Sequence, residues 1–176
     1  MQCKKALIAA ALIAVGGFAM TAGAATNPST TTFQVSMQIT KTCTVSANPI
    51  VFAATDANSS GSVNAQSSGN GVSVACSKKT PYIVGLVPSN GNATGAGSMA
   101  GQTSGNTDTV AYQLYSDAGR STKWGNTGTL AAAGNEVAGT GNGVGSGTNF
   151  TVYGTATNIN VTPDNYADTV TVNVTY

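Results

Sequence analysis

The chain has 176 residues, of which only 7% are charged, and it contains no histidine. Without histidine the commonest general base and the Ser-His-Asp arrangement are both absent. The few basic residues form no stripe that could neutralise phosphates, so nucleic-acid binding is not expected either. These properties predict a protein that is not an enzyme.

The first 25 residues have the order of a secretory signal peptide. Two lysines precede an apolar run from Ala6 to Val15, and the small residues around Ala24 suit a cleavage site. This run is too short to span a bilayer, which takes about 20 residues. We predict that residues 1–25 are removed on export and that residues 26–176 form a single domain with no membrane span. That domain has five basic and six acidic residues, a net charge of −1.

The rest of the chain is dominated by short segments with a period of two. Alternating apolar residues predict a first strand directly behind the cleavage site, at Phe33, Val35, Met37 and Ile39. Further strands are predicted around residues 43–45, 50–52, 72–76, 82–86, 110–114, 150–161 and 170–176. The sequence after residue 25 lacks the 3.6-residue apolar period of a helix. Two glycine-rich stretches, 89–108 and 133–148, are predicted to be surface loops that add little to the core.

The succession of about seven short strands and turns predicts an all-β, immunoglobulin-like β-sandwich. The tryptophan that often packs on a disulfide in such folds is not evident, because Trp124 lies in loop-like sequence. Cys43 and Cys76 are the two cysteines left after residues 1–25. An even number in an exported protein predicts a disulfide between them. The alternative is two buried free thiols.

The carboxylates are the last candidates for catalytic or metal-binding residues. Asp164 and Asp168 are four residues apart, but Thr162–Asn165 predicts a turn in which aspartate bonds to the backbone. Asp108 and Asp117 flank one predicted strand and are expected to end it. We therefore predict no catalytic, cofactor-binding or metal-binding residues, and no cofactor.

Four ordered stretches carry a resemblance to a known family. They are Ile39–Val45, Val72–Tyr82, Tyr112–Gly125 and Asp164–Tyr176, and the most specific part is Tyr112–Arg120. Together they resemble the spore coat protein U domain family, which includes the pilins of archaic chaperone–usher systems. The resemblance covers essentially the whole predicted mature chain.

The resemblance implies an incomplete immunoglobulin fold that lacks its last strand. A periplasmic chaperone would first fill the open groove, and the N-terminal strand of the next subunit would replace it at an outer-membrane usher. The chain would then be a structural subunit of a surface pilus, exported through the periplasm, with a role in adhesion or biofilm formation. Its partners would be the chaperone, the usher and neighbouring pilin subunits or further copies of itself.

Two sets of residues follow from this expectation. The predicted donor strand presents Phe33, Val35, Met37 and Ile39. The predicted chaperone-contacting C-terminal strand presents Val170, Val172, Val174 and Tyr176. Residues 31–39 could instead be the domain's own first strand, or serve as both. The alternative functions are a ligand-binding adhesin module and a non-polymerising spore or cell coat component.

Overall fold

The computed structural model describes residues 28–176, so the predicted signal peptide lies outside the described residues. Ile39–Tyr176 is one compact unit, and residues 28–38 are described separately from it. The strands are β1 (Cys43–Ala47), β2 (Val63–Gln66), β3 (Val72–Cys76), β4 (Pro81–Pro88), β5 (Ala96–Gly101), β6 (Thr109–Tyr115), β7 (Val137–Thr140), β8 (Thr148–Phe150), β9 (Tyr153–Thr157), β10 (Tyr166–Ala167) and β11 (Val170–Thr175). Across residues 28–176, no helix is long and apolar enough to cross a membrane.

The strands form three sheets with antiparallel pairing. Their orders are β1-β3-β8, β10-β5-β6-β9-β2 and β11-β4-β7. Alternating apolar side chains of β3, β4 and β6 meet in one core, as the period-two patterns predicted. The predicted all-β, immunoglobulin-like sandwich class is confirmed, and so are the strands predicted at β1, β3, β4, β6 and β11.

The glycine-rich stretches are not only loops, and here the prediction was wrong. They contain β5 and β7, and β5 pairs with both β6 and β10. Gly97 of β5 lies opposite Tyr112, and a Cβ at Gly97 would be 2.1 Å from the Tyr112 Cζ atom. The Tyr112 ring therefore covers a strand residue that must be glycine. Such a strand has no apolar alternation, which is why the sequence pattern missed it.

The prediction that Trp124 lies in a loop outside the core was also wrong, because Trp124 is fully buried at the centre of the core. Its indole N–H donates to the Val84 carbonyl at 2.8 Å, and its ring meets Phe150 edge-on at 6.2 Å. The Trp124 backbone N–H returns to the Leu114 carbonyl at 3.0 Å, so a loop after β6 carries the ring inward.

Two predicted strands differ in extent. Ile50 forms only an isolated bridge with Ser67, so residues 50–52 are not a strand. The long strand predicted from residue 150 is divided, because β8 ends at Phe150 and β9 begins at Tyr153 in a different sheet. At the break, the buried Val152 donates its backbone N–H to the Ser67 hydroxyl at 3.0 Å. Residues 159–161 also lie outside the strands.

Candidate functional site

The C-terminal strand β11 has one edge without a partner. It pairs with β4 in antiparallel register, from Val170 opposite Pro88 to Thr175 opposite Ile83. No strand among residues 28–176 pairs with its other edge. Natural proteins usually cover or blunt such edges, because a row of free backbone groups invites another chain to pair.

The register identifies which backbone groups face the unpaired edge. Leu86, which lies opposite Val172, donates its N–H to the Gly125 carbonyl at 2.9 Å, on the side of β4 away from β11. Antiparallel pairs alternate between hydrogen-bonded and non-bonded, so Val172 and Leu86 form a non-bonded pair. The N–H and C=O of Val172 therefore point to the unpaired edge, and those of Val170 and Val174 do the same.

The side chains of the same three valines point inward. Val170, Val172 and Val174 are half-buried and pack against the core, whereas the threonines and asparagine between them are exposed. One set of residues thus presents unpaired backbone groups at the edge and apolar side chains to the interior. Tyr176 follows the end of β11 and is 44% exposed.

Strand β1 has a second unpaired edge near β11. The carbonyl of Thr42 accepts the Ser77 N–H, and the Asn48 N–H donates to the Gly71 carbonyl, both at 2.9 Å. The even-numbered residues therefore bond toward β3, and the backbone groups of Val45 face the other way. Some Cα atoms of β1 and β11 come within 8 Å, yet no ladder joins the two strands.

The predicted disulfide is confirmed and fixes the start of β1. Cys43 and Cys76 lie directly opposite each other on β1 and β3, with their Cα atoms 4.0 Å apart, and are bridged. Cys76 is buried and Cys43 packs against the core. The bridge therefore holds an exposed edge strand on the inner strand β3.

A cleft of about 600 Å³ opens beside the start of β11 and reaches the core. Its walls come from β2, β5, β6, β9 and β10 and from the segments 50–57 and 159–165, which contain no strand. The apolar part of its lining includes Phe52, Met99, Val110, Ala156, Val161 and Val170. An apolar cleft next to an unpaired strand edge is suited to taking up an extended, apolar chain segment.

Two polar side chains of the cleft are bonded to each other. The Tyr112 hydroxyl donates to Asp168 Oδ2 at 2.6 Å, and the Thr169 N–H donates to Oδ1 at 2.7 Å. Burial opposes ionisation of Asp168, but hydrogen bonds from Ser89, Tyr112 and Thr169 outweigh it, so the pKa lies below its ordinary value of 3.8. Burial, with the hydrogen bond and charge of Asp168, raises the pKa of Tyr112.

The other carboxylates hold loops together. Asp164 accepts from the Thr103 N–H at 2.8 Å and hydroxyl at 2.7 Å, and from the Asn106 amide at 2.8 Å. The Thr103 backbone bond is the main reason that the pKa of Asp164 is well below its usual range. Asp108 accepts from the hydroxyl and N–H of Thr162, which lowers its pKa.

Asp117 accepts from the backbone N–H groups of Thr122 and Ser121 at 2.7 and 3.1 Å, and these bonds lower its pKa. Within residues 28–176, no group of three or more His, Cys, Asp or Glu side chains is placed to hold a metal ion.

The predicted donor residues lie before the first strand. Phe33, Val35, Met37 and Ile39 are 86, 83, 83 and 82% exposed, and residues 28–42 contain no strand. Among the described residues, the domain's first strand is β1, which begins at Cys43. The alternative that residues 31–39 form the domain's own first strand is therefore not what the structure shows, and the donor role stays a prediction.

Sequence reasoning missed the bond between Tyr112 and Asp168. The two residues are 56 positions apart, and no local pattern connects them. Both lie in stretches that carry the family resemblance, which was the one available signal.

The fold and site define a class of protein: an all-β sandwich whose C-terminal strand has an unpaired edge backed by apolar side chains. The chain belongs to the Spore Coat Protein U domain family, whose model matches residues 29–173. The resemblance noted in the sequence is thereby confirmed.

One similar solved structure is the CsuC–CsuE chaperone–tip adhesion subunit pre-assembly complex from archaic chaperone–usher Csu pili of Acinetobacter baumannii. The identity is 22% and the TM-score 0.47, and the alignment covers 78% of this chain. The chain spans 40% of the length of the chain it matches there. None of the curated proteins matches this sequence.

Proposed function

We propose that this chain is a structural subunit of a surface pilus and that it polymerises by donor-strand exchange. Residues 31–39 of one copy pair with β11 of the next copy and complete its sheet. The observation that carries the proposal is the unpaired edge of β11, where Val170, Val172 and Val174 combine free backbone groups with inward apolar side chains. Membership of the Spore Coat Protein U domain family supports the same role.

The dimensions of donor and acceptor agree. In extended conformation residues 33–39 span about 20 Å, and the six residues of β11 span about 17 Å. Phe33, Val35 and Met37 share one face of such a strand, because successive side chains alternate. That face would enter the cleft beside Val170, and the donor backbone would bond to the edge of β11.

The same edge suits a partner during export. A periplasmic chaperone would pair with β11 and cover it until an outer-membrane usher allows the next subunit to replace it. The mature chain would then reach the cell surface as part of a fibre that serves adhesion or biofilm formation, a structural role rather than a catalytic one. We expect the mature chain expressed alone to give little soluble monomer, and co-expression with its chaperone to restore it.

Aspartate substitutions on the two faces of the donor segment test the proposal. In Val35→Asp and Met37→Asp a charge would enter an apolar cleft, at a cost of several kcal/mol when it has no partner. Ser36→Asp and Gln38→Asp are matched controls, because their side chains lie on the opposite face. Fibre yield and the folded fraction of chaperone-bound subunit are measured for all four.

Val35→Asp and Met37→Asp should fold on the chaperone and fail to polymerise, whereas the controls should polymerise. Failure of the first pair to fold would show that the segment belongs to the subunit's own core. Equal tolerance of aspartate on both faces would exclude residues 31–39 as the donor.

A further inference from the structure

Asp168 occupies the point where the chain crosses between sheets. Residues Tyr166–Ala167 (β10) pair with β5 in the five-stranded sheet, and β11 begins at Val170 in the sheet with β4. Asp168 therefore lies in the short connection that determines where the unpaired edge begins. Its carboxylate accepts from the Tyr112 hydroxyl on β6.

We propose that Asp168 and Tyr112 form a clamp that positions the start of β11, and with it the mouth of the cleft, for the incoming donor strand. The inference rests on the proposed function and deepens it. Both side chains line the cleft next to Val170, the first acceptor residue of β11. They are positioning residues, since they act through β11.

Tyr112 is suited to be the fixed half of this clamp. It lies on β6, which is held between β5 and β9, and it is 6% exposed. Its ring covers Gly97 so closely that a Cβ there would be 2.2 Å from the hydroxyl oxygen. The hydroxyl therefore has little freedom to move, and the 2.6 Å bond holds Asp168 against the five-stranded sheet.

Asp168 is the half of the clamp that is connected to the acceptor strand β11. The N–H of Thr169 bonds back to the same carboxylate at 2.7 Å, so the backbone leading into Val170 is held by the side chain that bonds to Tyr112. A charge-assisted bond of this length is among the stronger hydrogen bonds in proteins. Without the Tyr112–Asp168 bond, the segment before β11 would have one hydrogen bond fewer to the five-stranded sheet, and the mouth of the cleft would vary in width.

The test measures release of the donor strand. The mature chain is refolded with a fluorescently labelled synthetic peptide of residues 31–42, and unlabelled peptide is added to obtain the dissociation rate from fluorescence anisotropy. Asp168→Ala and Tyr112→Phe should each release the peptide about tenfold faster, a change of about 1.4 kcal/mol. The double variant should be no faster than the worse single one, because both remove the same bond.

Two further variants separate positioning from general loss of stability. Asp168→Asn keeps one acceptor oxygen, which can serve the Tyr112 hydroxyl or the Thr169 N–H but not both, so its release rate should lie between those of the unmodified chain and Asp168→Ala. Asp117→Ala loses hydrogen bonds from Thr122 and Ser121 in a loop that does not line the cleft, and it should leave the release rate unchanged. Urea unfolding of each variant measures how much stability it has lost.

The outcomes distinguish the two proposals. If the unmodified chain binds the peptide but Asp168→Ala and Tyr112→Phe release it at the unmodified rate, the clamp is wrong and donor-strand exchange stands. Release by Asp117→Ala as fast as by Asp168→Ala at equal loss of stability would also overturn the clamp. If the unmodified chain neither binds the peptide nor assembles through its own residues 31–42, donor-strand exchange through this segment is wrong, and the clamp falls with it.

Discussion

Two aromatic side chains of the core should respond in opposite ways to loss of a polar atom. Trp124 and Tyr82 are both fully buried, and each makes an edge-on contact with Phe150. The Trp124 indole N–H donates to the Val84 carbonyl, whereas the Tyr82 hydroxyl has no hydrogen-bond partner within residues 28–176. Trp124→Phe and Tyr82→Phe are therefore a matched pair.

The expected magnitudes follow from these contacts. Complete truncation of a buried tryptophan to alanine costs about 3–5 kcal/mol. Phenylalanine keeps much of the ring, so the main loss in Trp124→Phe is the bond to Val84, whose buried carbonyl would lose a partner at about 1–3 kcal/mol. We expect a loss of about 2–4 kcal/mol. Tyr82→Phe removes a hydroxyl that is already without a partner, so stability should be unchanged or rise by about 1 kcal/mol.

The assay is urea unfolding of the mature chain, followed by circular dichroism, at one fixed concentration of donor peptide. The concentration is fixed because a ligand that binds only the folded state raises apparent stability. Circular dichroism is used because Trp124 is the only tryptophan, so the Trp124→Phe variant has no tryptophan fluorescence by which unfolding could be followed. A loss below about 1 kcal/mol in Trp124→Phe, or a loss above about 1 kcal/mol in Tyr82→Phe, would refute this account of the core.

Three further predictions concern the bridge, the carboxylates and Arg120. Thiol titration of the denatured, non-reduced mature chain should find no free thiol, and two titratable thiols per chain would contradict the bridge. Replacing Cys43 by serine should lower the free energy of unfolding in urea by about 3–4 kcal/mol, because the bridge closes a loop with a sequence separation of 33. The pKa of Asp164 is depressed in the folded state, so its contribution to stability is fully present above the ordinary value of 3.8 and is lost as the pH falls below it. Unfolding at a series of pH values from 7 to 2 should show that decline, and Asp164→Asn should make it shallower. Arg120→Lys should lower the midpoint of urea unfolding. The Arg120 guanidinium donates to the carbonyls of Gly154 and Ala65 in a geometry that an ammonium group cannot reproduce. An unchanged midpoint would show that these two hydrogen bonds contribute nothing to stability.

The parts of the fold that could be predicted are those where side-chain pattern and pairing coincide. Val72, Val74 and Cys76 alternate because β3 has one face in the core, and the valines of β11 alternate for the same reason. Both strands were predicted from period two alone. The disulfide could be expected from the even number of cysteines in a chain predicted to be exported.

The parts that could not be predicted depend on distant contacts. Gly97 has room only for a hydrogen because the ring of Tyr112 lies over it, and nothing in the glycine-rich sequence around it indicates that ring. Trp124 packs in the core, and a carbonyl 40 residues away satisfies its indole N–H. The segment at residues 33–39 has the pattern of a strand and forms none within the described chain. A period-two pattern shows that a segment can pair but does not identify its partner.

The position of the disulfide determines how a proposed fibre would carry tension. A pull on the donated segment enters the domain through residues 40–42 at Cys43, the first residue of β1. The covalent bridge passes that force directly to Cys76 on the inner strand β3, so the β1–β3 ladder is not peeled from its end. The chain between the two cysteines, about 110 Å when fully extended, stays out of the load path. An oxidised fibre would therefore resist stretching within each subunit, and a reducing agent would make each subunit extensible.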